Sequence, residues 1–426
     1  MIKKAILKSF NSGTYKASVQ ILGSLSVWLE GIPVSTAISA ADMVIGRSVA
    51  LLLLDPSNPN DCVLTAVWGA PSAHGKFEYI DEASRLGFNP HIWAGNKGYI
   101  KSASNPIITA AKAWDIAKSA YPSITQTEIN NGLGASQPVV RYVREEGRYY
   151  MLFTIDTGAR AGGPGYNTER ELYCISSTTP NFSSYTNHGR VFAVSPGTYY
   201  SKIIFHGGLI YNPFASGSGY SRKWLIPFLG YDGTDFDFGW LYSDSLTSGW
   251  QATPAIFLTR GLGVGAELIG RMLYPVLLKS GAAPWDFECY QVDVGTYQTA
   301  ATYTNLGSKR PALSGSYDSG FRFFSLFKHP DGLYLITYNE NTAGLGTAEY
   351  GNIYLMVGGK FGQETFVIQS CSPILKWDSG IAWEVNRILS PWLLLQGNDV
   401  FLYYNGGCAA NSPDYLIGMA SLSGSV

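Results

Sequence analysis

Asp115 and Glu267 are the two residues of this sequence best placed to do acid–base chemistry. A pair of carboxyl groups can do general acid–base chemistry, one donating a proton to a leaving group and the other activating water or attacking an electrophilic carbon. Glu267 lies in Gly265-Ala266-Glu267-Leu268, and Asp115 directly follows Trp114. Whether two such groups can act on one bond depends on the strands that hold them.

A second set of side chains is suited to binding, because aromatic rings offer flat apolar faces and polar groups hydrogen-bond to hydroxyls. The predicted ligand-binding residues are Tyr199, Tyr200, Lys202, Arg322 and Asn386. Five cysteines and five histidines are dispersed, and no C-x-x-C pair occurs. The sequence therefore predicts no metal site and no cofactor, and the cysteines are expected to be buried thiols.

Composition favours a turn-rich β protein. The charged fraction is 14%, against about 25% in an average soluble chain, whereas aromatics reach 14% and glycines number 48. Thirty basic and 31 acidic residues leave a net charge of −1, which excludes the basic surface of a nucleic-acid-binding protein. The apolar run 49–54 is too short to span a bilayer, and residues 1–8 lack a signal-peptide core, so we expect neither membrane insertion nor export by a signal peptide.

One pattern recurs from residue 105 onward: an apolar strand, a turn glycine and an aromatic strand. The turn glycines are spaced 61, 62, 62 and 65 residues apart, at Gly147, Gly208, Gly270, Gly332 and Gly397. A repeat of this length with several strands is typical of β-propeller blades, which bury their faces by stacking around an axis. We predict an all-β chain with a five-bladed propeller over residues 105–426.

The innermost strand of each blade should precede its turn glycine by about ten residues. The predicted inner strands are 136–143, 199–205, 265–269, 321–326 and 388–394. Glu267 is the single carboxylate within them, and Asp115 lies in a loop before the first. Long polar loops at 156–170, 212–222, 339–350 and 405–414 are predicted to gather on the rim where the inner strands begin, a usual place for recognition.

Several stretches resemble the opening blade of the five-bladed propellers of glycoside hydrolase families 43, 62, 32 and 68. They are Asn105-Pro106-Ile107-Ile108, Trp114-Asp115, Gln137-Pro138-Val139-Val140 and Gly147 to Phe153. The resemblance implies three carboxylates projecting from successive inner strands into one end of the axial channel, with the general acid in the third blade, where Glu267 lies. The second blade offers Tyr199 to Lys202 where an acid is needed, so the set is incomplete and binding is favoured over hydrolysis.

Residues 1–70 read as a separate small barrel. Short strands are predicted at 5–10, 15–22, 26–34, 47–54 and 62–68, and five strands in seventy residues suit a small barrel. The segments Gly13 to Gln20, Ile32 to Val34 and Ile45 to Asp55 resemble the oligonucleotide/oligosaccharide-binding (OB) barrels of phage tail spike and baseplate proteins, which implies docking onto a larger particle. Residues 71–104 are predicted to be a linker.

Together these patterns lead to a main hypothesis with two alternatives. The main hypothesis is a surface protein of a virion or tail-like particle, assembled in the cytoplasm, whose propeller binds a cell-surface glycan or protein receptor. Residues 1–70 would contact other particle subunits, and the chain would form a homo-oligomer. The first alternative is a glycoside hydrolase acting on a surface polysaccharide, and the second is a purely structural decoration protein.

Overall fold

The protein is described from a computed structural model, in which the chain divides into two compact units, 1–79 and 80–426. The residues that the structure describes are 2–21, 28–36, 38, 40–54, 58, 61–68, 99–123, 134–156, 169–259, 263–279, 286–309, 324–328, 334–341, 350–358, 367–368, 374–376, 378, 380–381, 383–384, 387–396, 399–407 and 415–422. Arg322 and Asn386 lie outside this part.

The first unit is one antiparallel sheet with the strand order β3-β2-β1-β4-β5. Its strands are β1 (Ile2–Asn11), β2 (Lys16–Ile21), β3 (Trp28–Pro33), β4 (Ser48–Leu53) and β5 (Cys62–Trp68), with a short 3₁₀ turn at Ala40–Asp42. Alternate side chains of these strands are buried, among them Ala5, Leu7 and Val19, as expected for a sheet with one covered face. A parallel bridge joins Val34, which directly follows β3, to Leu64 in β5, so it connects the two outer strands of the sheet.

The second unit is a five-bladed propeller whose strands run outward from the axis in chain order, except for the outermost strand of blade 5, which comes from the beginning of the unit. Blade 1 comprises β7 (Ala135–Val143), β8 (Arg148–Asp156), β9 (Arg170–Ser177) and β10 (Thr186–Phe192); blade 2, β11 (Ile203–His206), β12 (Ile210–Tyr211), β13 (Trp224–Tyr231), β14 (Phe236–Ser243), β15 (Gln251–Ala252) and β16 (Phe257–Thr259); blade 3, β17 (Val264–Ile269), β18 (Met272–Lys279), β19 (Asp286–Asp293) and β20 (Thr304–Lys309); blade 4, β21 (Phe324–Lys328), β22 (Tyr334–Asn341), β23 (Tyr350–Gly358) and β24 (Val367–Ile368); blade 5, β25 (Arg387–Gln396), β26 (Asp399–Gly407), β27 (Tyr415–Leu422) and β6 (Tyr99–Lys101).

The aromatic and aliphatic second strands of blades 1, 2 and 5 bury both of their faces between neighbouring blades. On β8, Met151 and Phe153 pack towards blade 5 against Tyr403, whereas Leu152 packs towards blade 2 against Phe228. Because side chains alternate along a strand, one strand of continuous apolar residues can fill two inter-blade cores. The propeller therefore accounts for many aromatic residues without any ligand.

The ring is closed by a strand from the beginning of the second unit. β6 pairs antiparallel with β27, with Tyr99 opposite Leu422 and Lys101 opposite Ala420. This strand completes blade 5 as its outermost member. Residues 99–101, part of the predicted linker, thus belong to the propeller. A ring of stacked blades is held closed when its last blade contains strands from both ends of the repeated region.

Turn glycines join the inner strand to the second strand where the sequence predicts it in blades 1 and 3. Gly147 (φ +62°) and Gly270 (φ +57°) have the left-handed backbone that favours glycine. Gly332 and Gly397 lie outside the described residues. The prediction for Gly208 is wrong: the chain does not turn there but runs on from β11 to β12, both of which pair with β13, and the connecting loop is 212–223.

One short helix, α1 (Ala110–Ala117), forms where the sequence has helix-like composition. The Thr109 side chain caps it by accepting a hydrogen bond from the Lys112 backbone N–H at 3.2 Å, which satisfies one otherwise unpaired donor of the first turn. A second 3₁₀ turn occupies Ala300–Thr302. Within the described part of the chain, no helix has the length and apolar character needed to cross a membrane.

Candidate functional site

The inner strands all begin at one end of the propeller, which we call the start rim, and lead towards the opposite end, the hairpin rim. Within the described residues the start rim is built from the beginnings of the inner strands, the connections between blades, and the ends of the second strands. The loop 212–223, predicted on the start rim, lies on the hairpin rim instead, because it connects the inner to the second strand of blade 2. Arg222 therefore also belongs to the hairpin rim.

A buried ion pair anchors the start rim between blades 1 and 2. Arg170 Nη2 lies 3.3 Å from Asp156 Oδ2, and both side chains are largely buried. The Arg170 guanidinium also lies 5.0 Å from the centre of the Phe205 ring. Burying either of these charged side chains without the other would be costly, so the two stay paired. The pair therefore keeps a fixed orientation at the strand ends.

Lys202 is held next to this ion pair by backbone hydrogen bonds on both sides. Its carbonyl accepts from Arg170 N at 2.9 Å, and its N–H donates to Tyr231 O at 3.0 Å. Its ammonium group lies over Gly233, within 2.6 Å of the position that a Cβ would take. The side chain is half-buried, so Lys202 presents a positioned cation at the start rim.

Three carboxylates, Asp232, Asp235 and Asp237, lie at or directly after the turn between the second and third strands of blade 2. The backbone N–H groups of Thr234 and Asp235 hold the pKa of Asp232 below its ordinary value, and the nearby Lys202 also lowers that pKa. Burial, together with Asp232 and Asp235, raises the pKa of the Asp237 carboxyl. The corner therefore combines an ionised carboxylate with one that takes up a proton more readily.

Polar side chains also lie at the beginning of the first inner strand. Gln137 is buried with φ +56°, and its N–H donates to Asn405 Oδ1 at 2.8 Å. Its Oε1 is buried without a hydrogen-bond partner among the described residues. Close by, the hydroxyls of Ser136 and Thr154 form a hydrogen bond, with their oxygen atoms 2.9 Å apart. A buried acceptor of this kind is available to a ligand or to water.

Tyr199 and Tyr200 precede the second inner strand and make mainly packing contacts. The Tyr199 ring crosses Gly230 and Gly239, where an added Cβ would lie 2.7 Å and 2.0 Å from its atoms, and its hydroxyl donates to Thr253 O at 3.1 Å. Tyr200 packs against Phe192 with ring centres 5.3 Å apart. These contacts explain why two tyrosines occur there without a ligand.

Blade 5 repeats the Tyr199 arrangement with Trp383, which sequence reasoning missed. Trp383 lies over Gly406 and Gly418, where an added Cβ would in each case lie 2.3 Å from an atom of its ring. The Trp383 ring also stacks on that of Tyr404. In both blades an aromatic residue from the preceding connection fills a trough made by glycines of the second and third strands. Paired glycines in adjacent strands are the signal that could have revealed it.

The two predicted catalytic carboxylates occupy different settings. Asp115 lies on the exposed side of α1, not in a loop, and accepts from the Tyr185 hydroxyl at 3.5 Å. Glu267 is half-buried in β17, three residues before the hairpin turn, and its Oε1 accepts from Leu268 N at 3.2 Å. Burial lowers the pKa of Arg141, while the nearby Glu267 opposes that shift. Among the described contacts, none joins Asp115 to Glu267.

His206 is a buried inner-strand histidine that also escaped sequence reasoning. Neither ring nitrogen has a hydrogen-bond partner among the described residues, and burial lowers the pKa of His206 to about 3. Throughout the described part of the chain, no group of three or more His, Cys, Asp or Glu residues could hold a metal ion. The described cysteines, Cys62, Cys174 and Cys289, are buried as predicted.

Acid should destabilise the propeller through His206. The folded protein keeps the ring neutral, whereas the unfolded chain binds a proton below about pH 6.5, so stability falls as the pH drops from 6.5 towards 3. Between pH 7 and 4.5 we expect wild type to lose roughly 2–3 kcal/mol more than His206→Leu. Urea unfolding at both pH values measures this difference, and equal losses in the two proteins would contradict it.

Comparison with solved structures identifies proteins of similar fold. A glycosyl hydrolase from Bacteroides ovatus aligns with a TM-score of 0.51 and 11% identity, over 77% of this chain and 94% of that one. The GH43_1 enzyme from Xanthomonas citri aligns with a TM-score of 0.50 and 12% identity, over 69% of this chain and 90% of that one. The β-xylosidase RS223 aligns with a TM-score of 0.50 and 11% identity, over 68% of this chain and 93% of that one. These neighbours confirm the predicted propeller fold. No family model and no curated protein matches the sequence.

Proposed function

We propose that the propeller binds a saccharide at the start rim between blades 1 and 2. The observation that carries the proposal is the placement of Lys202, whose backbone is held on both sides, next to Arg170, and whose ammonium lies over Gly233 near Asp232. Oriented charged and polar groups on a rigid scaffold suit the hydroxyls of a sugar. The structural neighbours, which are glycoside hydrolases, favour a carbohydrate-directed function.

A polysaccharide panel tests saccharide binding. Arabinoxylan, arabinan, xylan and levan would be titrated against the wild type and Lys202→Ala, with the exposed Lys118→Ala as the matched control. We expect at least one polymer to bind and Lys202→Ala to weaken it about tenfold, because a hydrogen bond to a charged group contributes roughly 1.5–3 kcal/mol. Failure of every polymer to bind, or equal affinity of Lys202→Ala and wild type, would contradict the proposal.

Hydrolysis of the bound saccharide is the second candidate, and the glycoside hydrolase neighbours favour it. The reaction needs an acid and a base or nucleophile about 5–10 Å apart. Among the described inner strands, Glu267 is the one carboxylate, and Asp156 is committed to Arg170. Release of reducing ends, abolished in Glu267→Gln or Asp156→Asn, would support cleavage. Binding without product would leave recognition as the function.

Residues 1–70 are proposed to dock onto other subunits, as in a tail-like particle. The strand order and the Val34–Leu64 bridge support a five-stranded OB-type barrel. Among the described residues of this unit, the exposed large apolar side chains are Trp28, Val44, Ile45 and Leu54, and clustered apolar groups on a surface commonly mark interaction sites. Light scattering should show an oligomer that Ile45→Glu dissociates; a wild-type monomer at all concentrations would contradict association.

A further inference from the structure

Two exposed aromatic rings lie on the hairpin rim of blade 2, Tyr211 at the end of β12 and Phe214 in the loop 212–223. Tyr211 and Phe214 are each 41% exposed, and in the described part of the second unit Ile100 is the other large apolar side chain that is comparably exposed. These rings lie beyond the end of the inner strand that Lys202 precedes. They are therefore at the opposite end of blade 2 from the start rim, and outside the proposed saccharide site.

The loop 212–223, which carries Phe214 and directly follows Tyr211, is rigidly held. Asn212 is buried, and its side chain donates to Arg222 O at 3.0 Å and accepts from Phe214 N at 3.0 Å. Arg222 donates to Gly217 O at 2.9 Å and pairs with Asp244 at 2.5 Å. The Tyr297 hydroxyl of blade 3 donates to the loop at Tyr220 O, 2.6 Å away. Rings fixed in this way lose little conformational entropy when a ligand binds.

Cations lie next to both exposed rings. Lys223 Nζ is 5.9 Å from the centre of the Tyr211 ring, and the Arg271 guanidinium is 5.3 Å from that of Phe214. Arg271 also pairs with Asp293 at 3.2 Å. With Arg222 and Asp244, and with Arg141, which lies near Tyr211, and Glu267 beside it, the area holds four cations and three carboxylates among the described residues, so it is locally positive in a chain of net charge −1.

We infer that Tyr211, Phe214, Lys223 and Arg271 form a second binding surface, for an acidic saccharide that carries uronic acid units. The rings offer apolar faces to the C–H groups of a sugar, the cations pair with its carboxylates, and serine hydroxyls of the loop add hydrogen-bonding groups. Four side chains match a short oligosaccharide, whereas a stable protein interface uses roughly 20–30 residues a side. This surface stands independently of the start-rim proposal.

Titration calorimetry of the full chain with tetragalacturonate and cellotetraose tests the inference. Tetragalacturonate should bind, more weakly at high salt, and cellotetraose should bind at least about tenfold more weakly. The double variant Tyr211→Ala/Phe214→Ala should lose about tenfold in affinity for tetragalacturonate, and Lys223→Gln about threefold together with part of the salt dependence. Both rings are exposed, so the variants should keep the wild-type melting temperature.

Two controls separate this surface from other sites. Ile100→Ala removes an equally exposed apolar side chain elsewhere, and Lys202→Ala alters the start rim; both should bind tetragalacturonate as wild type does. Absence of tetragalacturonate binding, equal affinity for cellotetraose, or unchanged affinity in the double variant would each overturn the inference. Loss in Lys202→Ala alone would assign acidic-sugar binding to the start rim and also overturn it.

Discussion

Replacing Glu384 with glutamine is expected to lower the free energy of unfolding of the propeller by about 3–5 kcal/mol, the usual cost of breaking a buried ion pair. Glu384 is fully buried between blades 4 and 5. Its carboxylate accepts hydrogen bonds from the Lys101 ammonium and from the Tyr404 hydroxyl, the latter at 2.8 Å. Because Lys101 belongs to β6, the pair ties the closing strand to the last blade, and its loss leaves a largely buried ammonium without a counterion.

Urea unfolding followed by tryptophan fluorescence measures this cost. The matched control is Glu145→Gln, in an exposed turn, which should change stability by less than about 0.5 kcal/mol. A double-mutant cycle with Lys101→Met isolates the energy of the pair. The double variant should lose less stability than the sum of the losses in the two single variants. A loss below about 1 kcal/mol in Glu384→Gln would contradict a role for this pair in closing the ring.

Gly207→Ala should be the most damaging single-methyl change in the second blade, with an expected cost of about 3 kcal/mol or more. A Cβ at Gly207 would lie 1.5 Å from the Val264 carbonyl oxygen and 2.5 Å from its carbon. The conflict involves the backbone of the inner strand of blade 3, which cannot move away as a flexible side chain can. Blades 2 and 3 would have to separate at the axis.

Gly208→Ala is the matched control for this prediction. A Cβ there would meet the ring carbons of Pro227 at 3.3 and 3.4 Å, contacts that small shifts can relieve, so the expected cost is below about 1 kcal/mol. Thermal unfolding of both variants gives the comparison. Equal melting temperatures for the two would show that the inner strands of blades 2 and 3 do not pack closely at Gly207.

Much of the fold follows from local patterns in the sequence. The five strands of the first unit and the inner strands of blades 1, 3 and 5 lie within a few residues of their predicted positions, because apolar strands bounded by turn residues are local signals. Gly208 misled the prediction for blade 2 because the chain passes through it without a turn, and it is the neighbouring Gly207 that close packing against blade 3 requires to be a glycine. The closing strand was missed since its partner lies more than 300 residues away.

The site could be predicted less well than the fold. Lys202 was identified because it precedes an inner strand, but the part played by Arg170 and Asp156 depends on how two blades meet. Tyr199 was selected as an aromatic near the axis, yet its position over Gly230 and Gly239 is set by tertiary packing. Glu384 and His206 carry no local signal, because a buried charge or an unpaired ring is recognised by its surroundings.

Hydrogen–deuterium exchange of the full chain, with and without the tightest-binding polysaccharide of the panel, tests most directly whether the start rim is the saccharide site. The proposal predicts slower exchange on binding in the described segments 134–137, 169–171 and 199–203, which form the start rim between blades 1 and 2. It also predicts that Lys202→Ala removes this protection. Unchanged exchange in those segments while the polysaccharide is bound, or protection confined to the loop 212–223, would contradict it.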